Sequence, residues 1–215
     1  MHHPHVKALE RHHGRRWRVA VLDPHAASRA RLVGTAAEVG VEVGVAGLPR
    51  PDVVPLIRQT GCDVVLLGLD VPDGSTLPIA TEVGCPVVLC SENTGGDMVS
   101  AAQRIGAMAF LVKPIRTEQI VPTLALAVSR FKEGQSLRRS LAERKVIERA
   151  KGRLMALQAT TEEDAFRWLR RRAMDTRLRI IDVARDVLSA SDRSHAQAEE
   201  RAPTHAPDAW FDRHG

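Results

Sequence analysis

Five short runs constrain this chain more than any other feature: 18-RVAVL-22, 41-VEVGV-45, 63-DVVLLG-68, 86-PVVLC-90 and 108-MAFLV-112. Each is apolar and rich in Val and Leu. Each is followed by a polar turn and then by a stretch with helical spacing. Near-continuous apolar strands are the mark of a sheet covered by helices on both faces. Strands alternating with helices imply βαβ units, which cross over right-handed and make a parallel sheet. The composition agrees, since 44% of the residues are hydrophobic yet only 3% are aromatic and none is tyrosine. Such a core suits strands packed by helices better than an aromatic-rich β-sandwich.

Five such units before residue 131 predict an α/β domain over 18–131, a flavodoxin-like, doubly wound, five-stranded parallel sheet of order 2-1-3-4-5. Residues 1–17, with His2, His3, His5, His12 and His13 among basic residues, read as a disordered leader and not as a metal site. No apolar run approaches the ~20 residues that span a bilayer, and no hydrophobic segment of a secretory signal stands near the N-terminus. A cytoplasmic protein without a membrane partner is expected. Cys62, Cys85 and Cys90 lie in or beside the apolar runs with no CxxC pair, and read as small buried hydrophobes. Neither a metal nor a cofactor is expected.

After the fifth run no strand appears. A helix opening near Thr117 carries Ile120, Leu124, Ala127, Val128 and Phe131. The stripe Leu137, Leu141, Ile147, Ala150, Leu154 and Leu157 continues it on one side. Gly134 weakens this helix by about 1 kcal/mol relative to Ala, which leaves two alternatives, a hinge or break there or a helix that runs on as a connector. Residues 132–140 read as a helical connector, and the narrow stripe as a coiled-coil seam of a homodimer. Thr160 with Glu163 reads as a capping box, and Asp175 or Thr176 as a second helix start. Residues 141–189 are thus three short helices with a miniature core of Leu154, Phe166, Leu169, Met174, Ile181 and Val187, and Trp168 packs into it. The polar stretch 190–215 reads as a disordered tail.

Charge divides the chain. Arg18 to Ser129 holds eight Lys/Arg against eleven Asp/Glu, whereas Arg130 to Arg193 holds seventeen against ten. A basic back half behind an acidic front raises the odds of a polyanionic partner.

Two resemblances sharpen this. The first domain resembles response-regulator receivers, in which acidic residues hold magnesium and an aspartate ending the third strand takes a phosphoryl group. Here 22-LDPH-25 supplies Asp23 but puts Pro24 at the place of the second acid. Ser91 and the Lys113-Pro114 pair match the family's hydroxyl and lysine positions. The family's acceptor lies four residues before the loop proline, and four before Pro72 is Gly68. Glycine has no carboxylate, so the resemblance implies a pseudo-receiver with no phosphoacceptor and poor magnesium affinity. Asp70 belongs to the loop and is a weak substitute. Asp23, Ser91 and Lys113 are remnants of the pocket, with Lys113 a buried or partly buried structural lysine near Asp23.

The run 143-ERKVIERAKGRLMALQATTEEDAFRWLRRRAM-174, followed by 178-LRIIDVARDVL-188, closely resembles the ANTAR domain of bacterial antiterminators. The resemblance covers nearly all of 141–189. It implies a three-helix RNA binder that favours two adjacent stem-loops in an mRNA leader over a terminator hairpin, meeting RNA polymerase only indirectly. Arg149, Lys151, Arg153, Arg170, Arg171, Arg177 and Arg179 are the candidate RNA contacts, while Arg167 and Arg172 read as solvated or ion-paired. The look-alikes are nitrate- and amide-responsive regulators, so a small-molecule sensor protein that sequesters the chain is the implied partner. The lost acceptor argues against enzymatic activity. The alternatives are a DNA-binding response regulator with a helix-turn-helix-like output, and an adaptor whose basic face meets acidic proteins.

Overall fold

The computed structural model describes residues 11–12, 15–69 and 76–200. The chain divides into two compact units, Met1–Gln135 and Ser136–Gly215. In the first, five strands form the sheet: β1 (Arg18–Leu22), β2 (Glu42–Gly47), β3 (Val64–Gly68), β4 (Val87–Ser91) and β5 (Ala109–Val112). All pairings are parallel and the order is β2-β1-β3-β4-β5. The helices α1 (Ala26–Glu38), α2 (Val54–Thr60), α3 (Leu77–Glu82) and α4 (Gly96–Ile105) separate the strands.

Alternation along the central strands builds two cores. Val19, Val21, Val64, Leu66, Val88 and Cys90 pack with Leu32 and Ala36 of α1 and with Ile120 and Leu124. Ala20, Leu22, Val65, Leu67 and Leu89 point the other way and pack with Ile57, Ile79, Met98 and Ile105. Each fully buried aliphatic side chain stabilises the fold by about 1.5–3 kcal/mol. None of the three cysteines forms a disulfide. Burial pushes the thiols of Cys85 and Cys90 up to about 12, so both stay protonated.

Order reaches further toward the N-terminus than the leader expectation allowed. Trp17 is buried in the first core, and Arg11–His12 pairs antiparallel with Arg15–Arg16. An indole of that size stabilises whatever chain carries it against the sheet. The other leader residues, Asp70 of the loop after β3, and 201–215 of the tail lie outside the described residues.

Helix α5 runs from Thr117 to Gln158, 42 residues, without interruption at Gly134. Of the two alternatives at this position the helix takes the continuous one, because one glycine costs less than the hydrogen bonds a break would forfeit. The second unit packs the end of α5 with α6 (Glu162–Thr176) and α7 (Ile180–Glu200). Its core is Ala150, Leu154, Ala165, Leu169, Ala173, Val183 and Ala184, with Ile181 also buried and Val187 partly so. Phe166 and Met174 are exposed instead of buried, and Trp168 is 40% exposed. Alanines at 150, 165, 173 and 184 fill the centre of the unit and carry the close helix contacts that larger side chains would prevent.

Local starts and stops differ by a few residues from expectation. Ala159 at φ 47° ends α5 in a turn, and the cap of α6 falls on Thr161, one residue later than expected. The Thr161 hydroxyl accepts from the Asp164 amide at 3.2 Å, while Glu163 pairs with Arg167. Arg177, at φ 56°, closes α6. Leu178 N–H reaches the Ala173 carbonyl at 3.1 Å and Arg177 N–H the Met174 carbonyl at 3.3 Å. Asp175 and Thr176 are therefore the last turn of α6, and the next helix begins at Ile180. That helix continues to Glu200, so residues 190–200 are helical where a disordered tail was expected.

Candidate functional sites: a filled receiver pocket and a basic helical face

Asp23 follows β1 and is fully buried. Its Oδ1 accepts from the His25 amide at 2.9 Å. Its Oδ2 accepts from the Ser28 hydroxyl at 2.8 Å and from Lys113 Nζ at 2.7 Å. Arg29 binds the Asp23 carbonyl at 2.7 Å. Burial pushes the Asp23 carboxyl up, but the bonds from Lys113, Ser28 and the His25 amide outweigh it and hold the group below the usual carboxylate range. Lys113 reaches this point from the end of β5 with its side chain only 7% exposed.

Gly68 ends β3 beside this cluster. A Cβ built there would collide with the Asp23 carboxylate. The missing side chain has thus left no vacancy, because Asp23 occupies the space above Gly68 and Lys113 and Ser28 neutralise and satisfy it. Ser91 is also buried, but its hydroxyl accepts from the Asn93 amide at 3.0 Å and caps the turn after β4. Asp23 and Lys113 are brought together; Ser91 is engaged elsewhere. Ser28 escaped the sequence reading, and the signal that could have found it is a hydroxyl in the first turn of the helix that follows Asp23. Among the described residues no group of His, Cys, Asp and Glu is arranged to hold a metal ion.

In the second unit the candidate cations fall into two sets. Arg149, Arg170, Arg171 and Arg177 are exposed and make no ion pair among the described residues. Lys151 is nearly buried: its Nζ lies 2.7 Å from both Glu148 and Glu162, and 5.8 Å from the Phe166 ring centre. The hydrogen bonds that its ammonium donates to those two carboxylates raise its pKa against the cost of burial. Arg179 bridges Asp182 at 3.1 Å and Glu143 at 3.7 Å, fastening α7 to α5. Arg153 is half-buried. Arg167 pairs with Glu163 and Asp164, and Arg172 is exposed.

A parallel sheet of order 2-1-3-4-5 with a self-satisfied pocket, followed by a small helical unit with a basic surface, defines a receiver-fold regulator with an all-α output unit. The model of the ANTAR domain matches residues 135–188. The transcriptional regulatory protein PdtaR of Mycobacterium tuberculosis is 36% identical over 183 residues, which cover 80% of this chain and 89% of that protein. The nitrate regulatory protein of Klebsiella oxytoca is 46% identical over 54 residues, 25% of this chain and 14% of its own length. Among solved structures, the chemotaxis protein CheY4 of Vibrio cholerae aligns over 52% of this chain and 98% of its own, at 19% identity and a TM-score of 0.44. The chain belongs to the ANTAR-domain family of transcription antitermination regulators that carry a receiver-like domain in front.

Proposed function

We propose that this protein binds paired hairpins in mRNA leaders and thereby lets transcription continue past a terminator, meeting RNA polymerase only through the RNA. The observation that carries the reading is the set Arg149, Arg170, Arg171 and Arg177, four exposed guanidiniums with no ion-pair partner among the described residues of the unit. An arginine held in an ion pair must break it to meet phosphate, whereas these four are free to do so. The planar fork of Arg pairs with phosphate and stacks on bases, and loop bases are accessible where duplex bases are not. Of the other candidates, Arg153 is half-buried, while Lys151 and Arg179 tie the helices of the unit together through Glu162 and Glu143.

Control falls to a partner protein and not to aspartate phosphorylation, since position 68 has no carboxylate and the space for one is filled. A small-molecule sensor that sequesters the chain fits this reading. No described helix is long and apolar enough to cross a membrane, and a cytoplasmic site of action is the setting the reading requires. The chain acts as a homodimer, with Leu137 and Leu141, 63% and 53% exposed on α5, as the seam.

The test is fluorescence anisotropy of the full chain with a two-hairpin leader RNA, a scrambled-loop RNA and duplex DNA. Tight binding to the paired hairpins, weakened at least tenfold by Arg170→Ala with Arg171→Ala, is expected. Equal or tighter binding to duplex DNA would overturn the proposal in favour of a DNA-binding regulator, and no binding to either would leave a protein adaptor.

A further inference from the structure

Within the second unit, α5 carries a charged stripe on the side turned away from the core. Ile147, Ala150 and Leu154 pack inward. Arg138, Lys145 and Arg149 stand at i, i+7 and i+11, which places them together on the opposite side of the helix. All three are exposed, and none makes an ion pair among the described residues. From Arg138 to Arg149 the stripe runs about 16 Å at ~1.5 Å per residue. The acids that could neutralise it are engaged elsewhere. Between residues 136 and 158 the helix has only Glu143 and Glu148. Arg179 lies 3.7 Å from Glu143, and Lys151 lies 2.7 Å from Glu148. Lys145 and Arg149, like charges four residues apart, repel each other, a cost that an anion laid over both removes.

Gly152 is an independent sign of a partner on this side. It sits in mid-helix seven residues after Lys145 and is exposed. A glycine there weakens the helix relative to alanine. Packing within the unit does not call for it, since a Cβ at 152 would meet nothing within 4 Å. Ala142 and Ala156, both exposed, fall on the same side, so no bulky side chain stands among the cations. A second copy of this face would set three cations against three. The strip of Leu137 and Leu141 lies roughly a quarter turn away round the helix. Double-stranded RNA answers both features, with phosphates along the rims of a wide, shallow minor groove that displays 2′-hydroxyls. We infer that this face of α5 lies along the stem of a bound hairpin. Arg138, Lys145 and Arg149 meet stem phosphates, and the bare backbone at Gly152 lets the helix close on the groove. This rests on the RNA-binding reading and adds to it a contact that senses duplex shape and not loop sequence.

The test is anisotropy of the full chain with the two-hairpin leader RNA, its scrambled-loop form and a blunt RNA duplex of the stem sequence, each over a range of salt. Wild type should bind the blunt duplex weakly, and Arg138→Ala with Lys145→Ala more weakly still. On the hairpins this double variant should lose about tenfold in affinity, and its slope of log affinity against log salt should fall by about two, one for each phosphate contact removed. The loss should be the same factor for intact and scrambled loops, because stem phosphates carry no sequence information. Gly152→Leu should raise the thermal midpoint, since leucine favours a helix over glycine and meets no neighbour here. It should nonetheless weaken hairpin binding to about the level of the double variant. If wild type binds the hairpins but the double variant keeps the full salt slope, or Gly152→Leu binds as wild type does, the stem contact is overturned and the RNA-binding reading stands. A loss confined to intact loops would move these cations to the loop and overturn it equally. If wild type binds no hairpin RNA, the reading itself is overturned and the inference goes with it.

Discussion

Asp23 and Lys113 form the most consequential pair in the first unit, because each is buried and each is the other's counter-charge. Removing one partner of such a pair leaves an uncompensated charge, at a cost of about 3–5 kcal/mol. Asp23→Ala should lower the unfolding free energy by about that much in urea titrations. Asp23→Ala with Lys113→Met should cost clearly less than the two single changes added together. The pH dependence has a definite sign. Asp23 has a folded pKa below the unfolded carboxylate value of about 3.9, so its contribution is full above that value and is lost as pH falls through the folded one. The stability gap between wild type and Asp23→Asn should therefore be wide at pH 6 and narrow progressively below about pH 4; a gap that stays constant would contradict the assignment. The same geometry bears on Gly68. Restoring the family's aspartate by Gly68→Asp should destabilise the unit and fail to yield a phosphorylated protein with magnesium and a small-molecule phosphoryl donor, as read by intact mass. The new side chain meets Asp23 and not an empty pocket.

At the scale of elements, helix ends separate stability from binding. Thr161 caps α6 through the Asp164 amide, and Thr161→Ala should cost about 1 kcal/mol in thermal unfolding of the full chain. Arg177 sits at φ 56° where glycine is preferred, so Arg177→Gly should leave stability unchanged or raise it by up to about 1 kcal/mol. If Arg177 also meets RNA, the same substitution weakens hairpin binding, and the two readouts move in opposite directions. These ends also mark where sequence reading reached its limit. The five strands and their order were legible because period and composition act over whole segments. The cap at Thr161 was not, because the turn at Ala159 takes a positive φ that no residue type there announces. Phe166 and Met174 misled for a related reason. Their spacing fits either flank of a stripe, and only the packing of three helices decides that alanines fill the centre. In the pocket, the loss at Gly68 was visible in the sequence, but its filling by Asp23 depends on side-chain reach across two strands.

For the whole molecule the open matter is how one chain with a modest basic face distinguishes paired hairpins from any RNA. Within one chain the stripe on α5 divides. Ile147, Ala150 and Leu154 turn into the core of the second unit, whereas Leu137 and Leu141 stay exposed one turn apart. Two such leucines beside the glycine at 134, where a Cβ would meet nothing within 4 Å, form a short apolar strip suited to a second copy of the same helix. A dimer on this strip would present two output units to one RNA. The second hairpin would then bind at the effective concentration set by the first and not at bulk concentration, gaining 10²- to 10⁴-fold without a new contact. Leu137→Glu with Leu141→Glu should convert the protein to monomer in sedimentation velocity. It should leave affinity for a single hairpin near its original value and reduce affinity for the tandem RNA to that of the single one. Because each unit's phosphate contacts release counterions independently, the slope of log affinity against log salt on the tandem RNA should fall to about half in the monomer. A variant that becomes monomeric yet keeps the full tandem preference would show that the pairing of hairpins is recognised within one unit, and the dimer would then have no part in specificity.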